Sequence, residues 1–226
     1  MGVLAELLAQ AANGVMPVPG GGPTILPQPS PRDAGVIAFT AHNVIFADVD
    51  PDWISGHLPG DDLSAPLNPP FLNALEKETG RRVDNVDMLA LAVPLEGGVP
   101  VALREITDSG HPRVERARSH RDDVRVWAGE AGVVVLGRGV AGRWEVAVEV
   151  EVEHQGRGAG RALARAARHL APGPLWAQIA PGNAASVRAF LAAGYVPMGA
   201  EALLVPAIGP RDGAEAPTPP PLGPWE

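Results

Sequence analysis

The spacing of apolar and polar residues divides this chain into short strands and amphipathic helices. Residues 144–153, WEVAVEVEVE, alternate strictly and predict a strand with one apolar and one polar face. Residues 160–170, GRALARAARHL, place leucine and alanine on one stripe and arginine elsewhere, which predicts a helix. The two faces of the predicted strand hold Trp144, Val146, Val148, Val150 and Val152 on one side, and Glu145, Ala147, Glu149, Glu151 and Glu153 on the other.

The same periods predict further elements on both sides of this strand and helix. A strand and a helix are expected before it, then two strands joined by a tight turn. A buried strand, a helix that ends at Gly194 and one or two closing strands are expected after it. These elements correspond to residues 101–120, 123–129, 132–139, 174–180, 183–194 and 195–205.

The amino-terminal part follows a less regular pattern. Residues 35–50 predict one strand, which could be bent, and Asp50 with Pro51 predicts the start of a helix. A second helix ends at Gly80, and a strand follows it. We divide the chain into a short helix with a flexible Pro/Gly-rich segment (1–31), an α/β block that could be a diverged half-domain or a lid (32–99), a second α/β domain (100–205) and a disordered Pro-rich tail (206–226).

Composition narrows the class of protein. Hydrophobic residues make up 46% of the chain and charged residues 19%, as in soluble globular proteins. There is no cysteine, and no histidines have metal-ligand spacing, so we expect neither cysteine chemistry nor a metal site. Aromatic residues are too few, at 4%, for a nucleic-acid interface. No run of 18 apolar residues and no basic leader is seen, which predicts a cytoplasmic protein without membrane contact.

Charge is distributed unevenly along the chain. The first 100 residues carry 4 basic and 12 acidic residues, whereas residues 101–205 carry 13 basic and 11 acidic ones. The second part could therefore favour an anionic ligand, while the first would attract a cationic one.

The turn Gln155-Gly156-Arg157-Gly158-Ala159-Gly160 is the strongest candidate for a binding site. A helix start leaves about four N–H groups unpaired, and glycines let an anion approach them closely. The alternative is a plain strand-to-helix bend that glycines permit. Gly137, Gly139 and Gly142 also fit GxGxxG, but a strand follows them, which predicts a hairpin and not a dinucleotide site.

The Gln-x-x-Gly-x-Gly turn resembles the acetyl-CoA site of the GCN5-related N-acetyltransferase (GNAT) superfamily. A later segment, NAASVRAFLAAGYVPMG, is similar to the family's Asn-x-x-Ser helix, with Asn183, Ser186, Gly194 and Tyr195 in place. The resemblance covers roughly residues 101–205. It implies an α/β (α+β) fold with a mixed, mostly antiparallel sheet flanked by helices, to which the amino-terminal block is added.

The resemblance also implies roles for individual residues. The main chain of Val150 and Val152 would pair with the pantetheine arm of acetyl-CoA, and the amides from Arg157 to Arg161 would hold its diphosphate. Asn183 would contact the cofactor, although a helix N-cap explains this residue equally well. The cofactor-binding residues expected on this basis are Val150, Val152, Gln155, Gly156, Arg157, Gly158, Ala159, Gly160, Arg161, Asn183 and Ser186.

Amine acetylation requires a group that removes a proton. A lysine-like amine with a pKa near 10.4 is neutral about once in 2500 molecules at pH 7, a penalty of roughly 4.6 kcal/mol. Glu149, with Glu145 second, is the predicted base on the polar face of the strand. A solvated acidic face is the alternative for either residue.

The expected proton donor for the leaving thiolate is missing from the later helix. Many family members have a tyrosine there, four residues before the glycine that ends the helix, and this chain has Phe190. The only tyrosine, Tyr195, matches a packing position, and His120 and His154 are the remaining candidates.

Two functions follow from these observations. The first is an acetyl-CoA-dependent N-acetyltransferase that acts on a primary amine of a small molecule or peptide, cationic by the charge argument, by direct attack in a ternary complex. The second is a non-catalytic acyl-CoA-binding or interaction module, which Phe190 and the unmatched first block favour. The sequence leaves a homodimer open.

Overall fold

The helices and strands follow most of the apolar periodicity. The computed structural model describes residues 2–20, 22–60, 62–107, 110 and 112–207. The helices in this part of the chain are α1 (Val3–Ala12), α2 (Pro51–His57), α3 (Pro69–Thr79), α4 (Pro112–His120), α5 (Ala159–Leu170) and α6 (Ala184–Ala192). The strands there are β1 (Thr24–Leu26), β2 (Ala34–Phe39), β3 (His42–Phe46), β4 (Arg81–Ala92), β5 (Arg104–Ile106), β6 (Asp122–Gly129), β7 (Gly132–Arg138), β8 (Trp144–Val150), β9 (Leu175–Ile179) and β10 (Val196–Pro206).

The strands of the described chain form one mixed sheet in the order β1-β3-β2-β10-β4-β9-β8-β7-β6-β5. Only the pairs β1–β3 and β8–β9 are parallel, and the other neighbours are antiparallel. The predicted α/β class with a mostly antiparallel sheet is therefore confirmed.

Helices cover both faces of the sheet. Along β4, Ala90 and Ala92 pack in the cluster that contains α5 and α6, whereas Leu89 and Leu91 pack with α1 on the other side. Since successive side chains alternate across a strand, α1 lies opposite α5 and α6. The same alternation along β7 places α4 on the side of α1. We call these surfaces of the sheet the α5 face and the α4 face.

The amino-terminal segment differs from the sequence prediction. Helix α1 packs on the sheet, because Leu4, Leu8 and Ala11 are buried against it. The segment predicted to lack regular structure contains the short strand β1. Residues 35–50 form the β2–β3 hairpin and not one bent strand, with Ala41 in the left-handed region at φ 57°. No glycine marks this turn, which is why the pattern concealed it.

The two blocks on either side of residue 100 share the sheet. Strand β4, from the amino-terminal block, lies between β9 and β10 of the second block and pairs with both in antiparallel register. Strand β10 in turn pairs with β2. The segment 32–99 therefore contributes strands to the centre of the sheet. The tail beyond residue 207, predicted to be disordered, lies outside the described residues.

We expect Leu89→Ala to destabilise the whole protein, because Leu89 is fully buried in the central strand β4. Removing a buried leucine side chain in this way costs about 2–5 kcal/mol. Val18→Ala is the matched control, since Val18 is 81% exposed. Urea unfolding followed by tryptophan fluorescence and by circular dichroism should give one coincident transition for each protein. Two separate transitions would contradict a shared core.

Candidate functional site

Strands β8 and β9 separate soon after they begin. Their parallel ladder contains only two residue pairs, Trp144 with Leu175 and Glu145 with Trp176. Beyond these pairs β8 stays bonded to β7, while β9 stays bonded to β4. The sheet therefore opens into a cleft between two of its central strands.

The pairing of β8 with β7 determines which main-chain groups of β8 face the cleft. The register with β7 runs without a shift from Trp144 to Val150, and the N–H of Glu151 donates to the carbonyl of Ala131. Since bonding direction alternates along a strand, the main chain of Val148 and Val150 points away from β7. Apart from their pairs with β7, Val148 and Val150 form no ladder pair with any described strand. An extended amide can bond to such an edge.

Strand β8 ends earlier than the sequence predicts. It stops at Val150, and Val152 lies in a 3₁₀ turn with its side chain exposed. The side-chain amide of Gln155 donates to the carbonyl of Val150 at 3.4 Å. The alternation of the sequence pattern continues past the strand because Val152 is apolar, although nothing in the fold buries it.

The glycine turn leads directly into α5, as the sequence predicts. Gly156 and Gly158 have φ angles of 72° and 84°, a region that glycine occupies without strain. Both residues are exposed, and a Cβ atom at either would meet no described atom within 4 Å. Gly158 is the N-cap of α5, and no side chain caps the helix. The first-turn amides of α5 are thus open to a ligand, with the exposed Arg157 and Arg161 beside them.

Gly160 has a different role. A Cβ atom there would lie 3.3 Å from Cβ of Ala189 in α6 and 3.6 Å from Val150. This glycine therefore allows α5, α6 and the end of β8 to approach one another closely.

A cavity of about 320 Å³ passes through the cleft. Its lining includes residues of the α5 face, among them Val148, Asn183 and Phe190, and residues of the α4 face, among them Glu145 and Asp87. The cavity thus connects the two faces of the sheet at the place where β8 and β9 part.

Glu145, one of the two predicted bases, lies in a buried charge cluster with both of its oxygens occupied. Oε1 accepts from Nε of Arg143 at 2.8 Å and from the N–H of Val140 at 3.2 Å. Oε2 accepts from Nε of Arg121 at 2.9 Å. Burial raises the pKa of Glu145, but the two guanidiniums outweigh that effect and hold the pKa below its usual value. These contacts give Glu145 a structural role in the cluster.

The cluster extends to β9 and β10. Arg143 also donates to Glu201, which accepts a second hydrogen bond from Gln178 at 2.7 Å. Its guanidinium lies 5.5 Å from the ring centroid of Trp176. The side chains of Arg143 and Glu201 are 3% and 1% exposed, so water cannot replace these contacts.

Gly139, the second glycine of the GxGxxG pattern, leaves room for the carboxylate of this cluster. A Cβ atom at Gly139 would overlap the carboxylate of Glu145. Gly137 lies in β7, and Gly139 and Gly142 lie in the connection to the antiparallel strand β8, so the predicted hairpin is confirmed.

The remaining predicted residues fall into three groups. Asn183 and Ser186 line the cavity, and the side chain of Asn183 accepts from the N–H of Ser186 at 3.0 Å as the N-cap of α6. Glu149 lies on β8, is half-buried and is not among the residues that line the cavity. The other predicted cofactor-binding residues lie outside the cavity, on the adjoining end of β8, the 3₁₀ turn and the start of α5: Val150, Val152, Gln155, Gly156, Arg157, Gly158, Ala159, Gly160 and Arg161.

The two aromatic residues of the later helix and its end pack together. The rings of Phe190 and Tyr195 meet edge to face, with centroids 4.9 Å apart. The Tyr195 hydroxyl is buried and donates to the carbonyl of Ala164 at 3.3 Å. Burial raises the pKa of Tyr195 above its usual value, despite the nearby Arg168. Tyr195 is thus a packing residue, as its position predicts.

Sequence reasoning missed Asp87, which lines the cavity from β4. Burial is the main cause that raises its pKa to about 6, and the charges of Glu201 and Asp84 add to the effect. The signal in the sequence was weak, because Asp87 interrupts an apolar run that belongs to no recognised motif. Glu201, the like-charged residue opposite Asp87 in the sheet register, lies 114 positions further along the sequence.

Two kinds of site do not occur among the residues that the structure describes. No group of three or more His, Cys, Asp or Glu side chains there could hold a metal ion. No helix within the same residues is long and apolar enough to cross a bilayer.

No protein-family model and no curated protein matches this chain. Several solved structures resemble it. A GCN5-related N-acetyltransferase from Kribbella flavida is 15% identical, with a TM-score of 0.39 over 92% of this chain and 97% of its own. A protein from Novosphingobium aromaticivorans, described as belonging to the GNAT acetyltransferase family, is 19% identical, with a TM-score of 0.37 over 56% of this chain and 67% of its own.

A third solved structure, a conserved protein of unknown function from Staphylococcus epidermidis, is 16% identical, with a TM-score of 0.40 over 61% of this chain and 66% of its own. Two of these three proteins are named for the family that the sequence motifs resemble. Likenesses of this size carry no argument about activity, which must be inferred from the residues of the site.

We expect Arg143→Met to destabilise the protein by about 3–5 kcal/mol, because it leaves Glu145 and Glu201 buried with less compensation. Arg125→Met is the matched control. Arg125 also forms an ion pair, with Glu105 at 2.9 Å, but both side chains are more than 40% exposed. Exposed pairs of this kind contribute at most about 1 kcal/mol.

Urea unfolding at pH 7 measures both effects, and equal losses would contradict a structural role for the buried cluster. The pH dependence provides a second test. Because the folded-state pKa of Glu145 is lowered, its contribution is present above its unfolded-state pKa and is lost as the pH falls through the folded value. The difference in the free energy of unfolding between wild type and Arg143→Met should therefore become smaller as the pH falls into the acid range.

Proposed function

We propose that this protein is an acetyl-CoA-dependent N-acetyltransferase that acts on a primary amine. The observation that carries the proposal is the cleft between β8 and β9, which ends at a glycine turn with open helix amides. Acetyl-CoA has a diphosphate, an extended arm with two amides and a thioester, and the site offers a complement to each part.

The diphosphate fits the start of α5. A helix start carries roughly half a positive charge and unpaired N–H groups, both of which favour a phosphate. The φ angles of Gly156 and Gly158 shape the turn, and its glycines leave the main chain uncovered. Hydrogen bonds to charged groups contribute about 1.5–3 kcal/mol each, so a few amides between Arg157 and Arg161 would bind the diphosphate firmly.

The pantetheine arm fits the free edge of β8. We propose that its amides bond to the main chain of Val148 and Val150, which points into the cleft. This places the pairing two residues earlier than the sequence resemblance implies, since Val152 has left the strand. Asn183 can contact the ligand with its side-chain nitrogen while its oxygen caps α6.

The thioester supplies the acetyl group, and the cavity supplies its surroundings. An arm that follows β8 from the glycine turn would bring the thioester to the cavity beside Val148 and Phe190. Phe190 cannot donate a proton to the departing sulfur. A thiolate with a pKa near 8.5 leaves without a strong acid, so transfer remains feasible.

The acceptor would reach the thioester from the α4 face. The cavity is lined there by the carboxylates of Asp33, Asp84 and Asp87, which favour a cationic amine over a neutral or anionic acceptor. Arg32 and Arg121 offset part of this charge through their bonds to Asp33 and Glu145.

A second function is favoured by one observation, the phenylalanine at position 190. A domain that binds acyl-CoA without turnover has no need of a proton donor at this position. Such a module would share the ligand site but would release no thiol with any acceptor.

We expect Gly158→Ala to weaken coenzyme A binding at least tenfold. Alanine at a φ of 84° is strained, and relief of this strain would redirect the amides of the turn. Gly80→Ala is the matched control, since Gly80 has a φ of 65°, open space around it and a position at the end of α3. Both variants should lose about 1–2 kcal/mol of stability.

Isothermal titration with coenzyme A and with acetyl-CoA distinguishes the two variants. Equal affinities for Gly158→Ala and Gly80→Ala would contradict the placement of the diphosphate. If the wild-type protein bound neither compound, both candidate functions would be excluded.

Thiol release in the presence of acetyl-CoA tests the transfer reaction itself. A panel of polyamines, aminoglycosides, amino acids and basic and acidic peptides should give the highest kcat/KM for polycationic amines. A preference for anionic acceptors would contradict the acidic wall of the cavity. Binding without thiol release on the whole panel would favour the non-catalytic module.

A further inference from the structure

One oxygen of the Asp87 carboxylate accepts no hydrogen bond from the described residues. Its Oδ1 accepts from the side-chain amide of Asn85 at 2.8 Å. Among the described residues no donor bonds to Oδ2, and this atom is not one of the buried polar atoms left without a partner. Oδ2 is therefore accessible, and Asp87 lines the cavity.

The other acidic side chains near the cleft are engaged. Glu145 accepts from two guanidiniums and an amide, and Glu201 is buried between Arg143 and Gln178. Asp33 accepts from Arg32 and from the hydroxyl of Ser30. Asp84 is exposed at the rim and lies 4.0 Å from Arg82. Asp87 is thus the carboxylate best placed to receive a proton from a molecule in the cavity.

The surroundings of Asp87 make it a stronger base than an ordinary aspartate. Glu201 lies opposite it on β10, Asp84 lies on its own strand, and part of the side chain is buried. The other charged or titratable groups that line the cavity are Arg32, Asp33, His120, Arg121 and Glu145. A carboxyl with a pKa of about 6 is mostly ionised at pH 7, yet it binds a proton roughly a hundred times more tightly than one with a pKa near 4.

We propose that Asp87 is the residue that accepts the proton of the acceptor amine. This inference rests on the proposed acetyltransferase function and replaces the assignment to Glu149 or Glu145. The catalytic base then comes from the amino-terminal block, and the cofactor site comes from the second block. Neither block holds a complete site.

The atoms of the reaction balance as follows. The acceptor enters as an ammonium and gives one proton to Asp87. The freed electron pair on nitrogen forms the new N–C bond to the thioester carbonyl carbon, and the C–S bond breaks with its pair on sulfur. The excess proton on nitrogen passes to that sulfur, which gives the amide and the thiol, and Asp87 releases its proton to solvent. No side chain has to replace the tyrosine that is absent at Phe190.

The experiment uses the full chain and begins with a readout that needs no substrate. Asp87→Asn keeps the size of the side chain and removes its charge. Carboxyl-carbon NMR of aspartate-labelled protein should show one titration with a midpoint near pH 6 that disappears in Asp87→Asn. A midpoint near pH 4 for Asp87 would overturn the inference whatever the kinetics show.

The pH dependence of thermal stability provides a second test of the raised pKa of Asp87. Because the folded-state pKa of Asp87 is raised, stability falls as the pH rises from about 4 through 6. Asp87→Asn should therefore melt at a higher temperature than wild type at pH 8 and at a similar temperature at pH 4. An unfolded or destabilised variant at pH 8 would contradict this environment for Asp87.

Kinetics separate this inference from the proposed function. With the best acceptor of the amine panel, or with water through slow acetyl-CoA hydrolysis, Asp87→Asn should bind acetyl-CoA as wild type does and lose at least 100-fold in kcat. The acid limb of the pH profile, near pH 6, should disappear. Asp84→Asn should move that limb to lower pH, because one repelling charge is removed, and should raise KM for a cationic acceptor.

Asp48→Asn is the control for a carboxylate of the same block that does not line the cavity, and it should leave the profile unchanged. An Asp87→Asn enzyme within threefold of wild type, with its acid limb intact, would overturn the role of Asp87 and leave the acetyltransferase proposal standing. A wild-type protein that does not bind acetyl-CoA, or binds it without turnover, would overturn both.

Discussion

The parting of β8 from β9 is the constraint on which the site depends. A parallel pair would ordinarily continue along both strands, and here it ends after Glu145 and Trp176. Each strand keeps its bonds to its outer neighbour, so the split leaves an open edge without breaking the sheet. The free main chain, the cavity and the access from both faces all follow from this one departure.

The buried charge cluster lies just where the strands are still paired. Arg143 connects Glu145 of β8 with Glu201 of β10, and Gln178 of β9 bonds to the same carboxylate. A buried ion pair is rarely more stabilising than an apolar core of the same shape, so stability alone does not account for it. Its further effect is to place the negative charge of Glu201 opposite Asp87, where it raises the pKa of that carboxyl. The cluster thus connects the geometry of the split with the chemistry beside it.

The sequence predicts the local features of this site well, because they depend on residues near one another in the chain. The glycine turn, the start of α5, the Asn183 cap and the hairpin at Gly139 all follow from short-range rules of turns and caps. Features that depend on strands distant in the sequence do not follow from these short-range rules. No periodicity encodes the strand pairings that insert β4 between β9 and β10. The same holds for the ion pairs of Glu145 and for the environment of Asp87. For the same reason the alternation along β8 draws attention to Glu145 and Glu149 and not to Asp87, the base that we propose on β4.

Strand β10 has a consequence for how the protein is made. It is the last described strand, and it alone joins the β1-β3-β2 ribbon to the remainder of the sheet, through β2 on one side and β4 on the other. During synthesis the ribbon therefore has no strand that joins it to β4 until residue 206 has left the ribosome. The edges of β2 and β4 that pair with β10 stay open until then, and pairing over so long a separation in sequence slows folding.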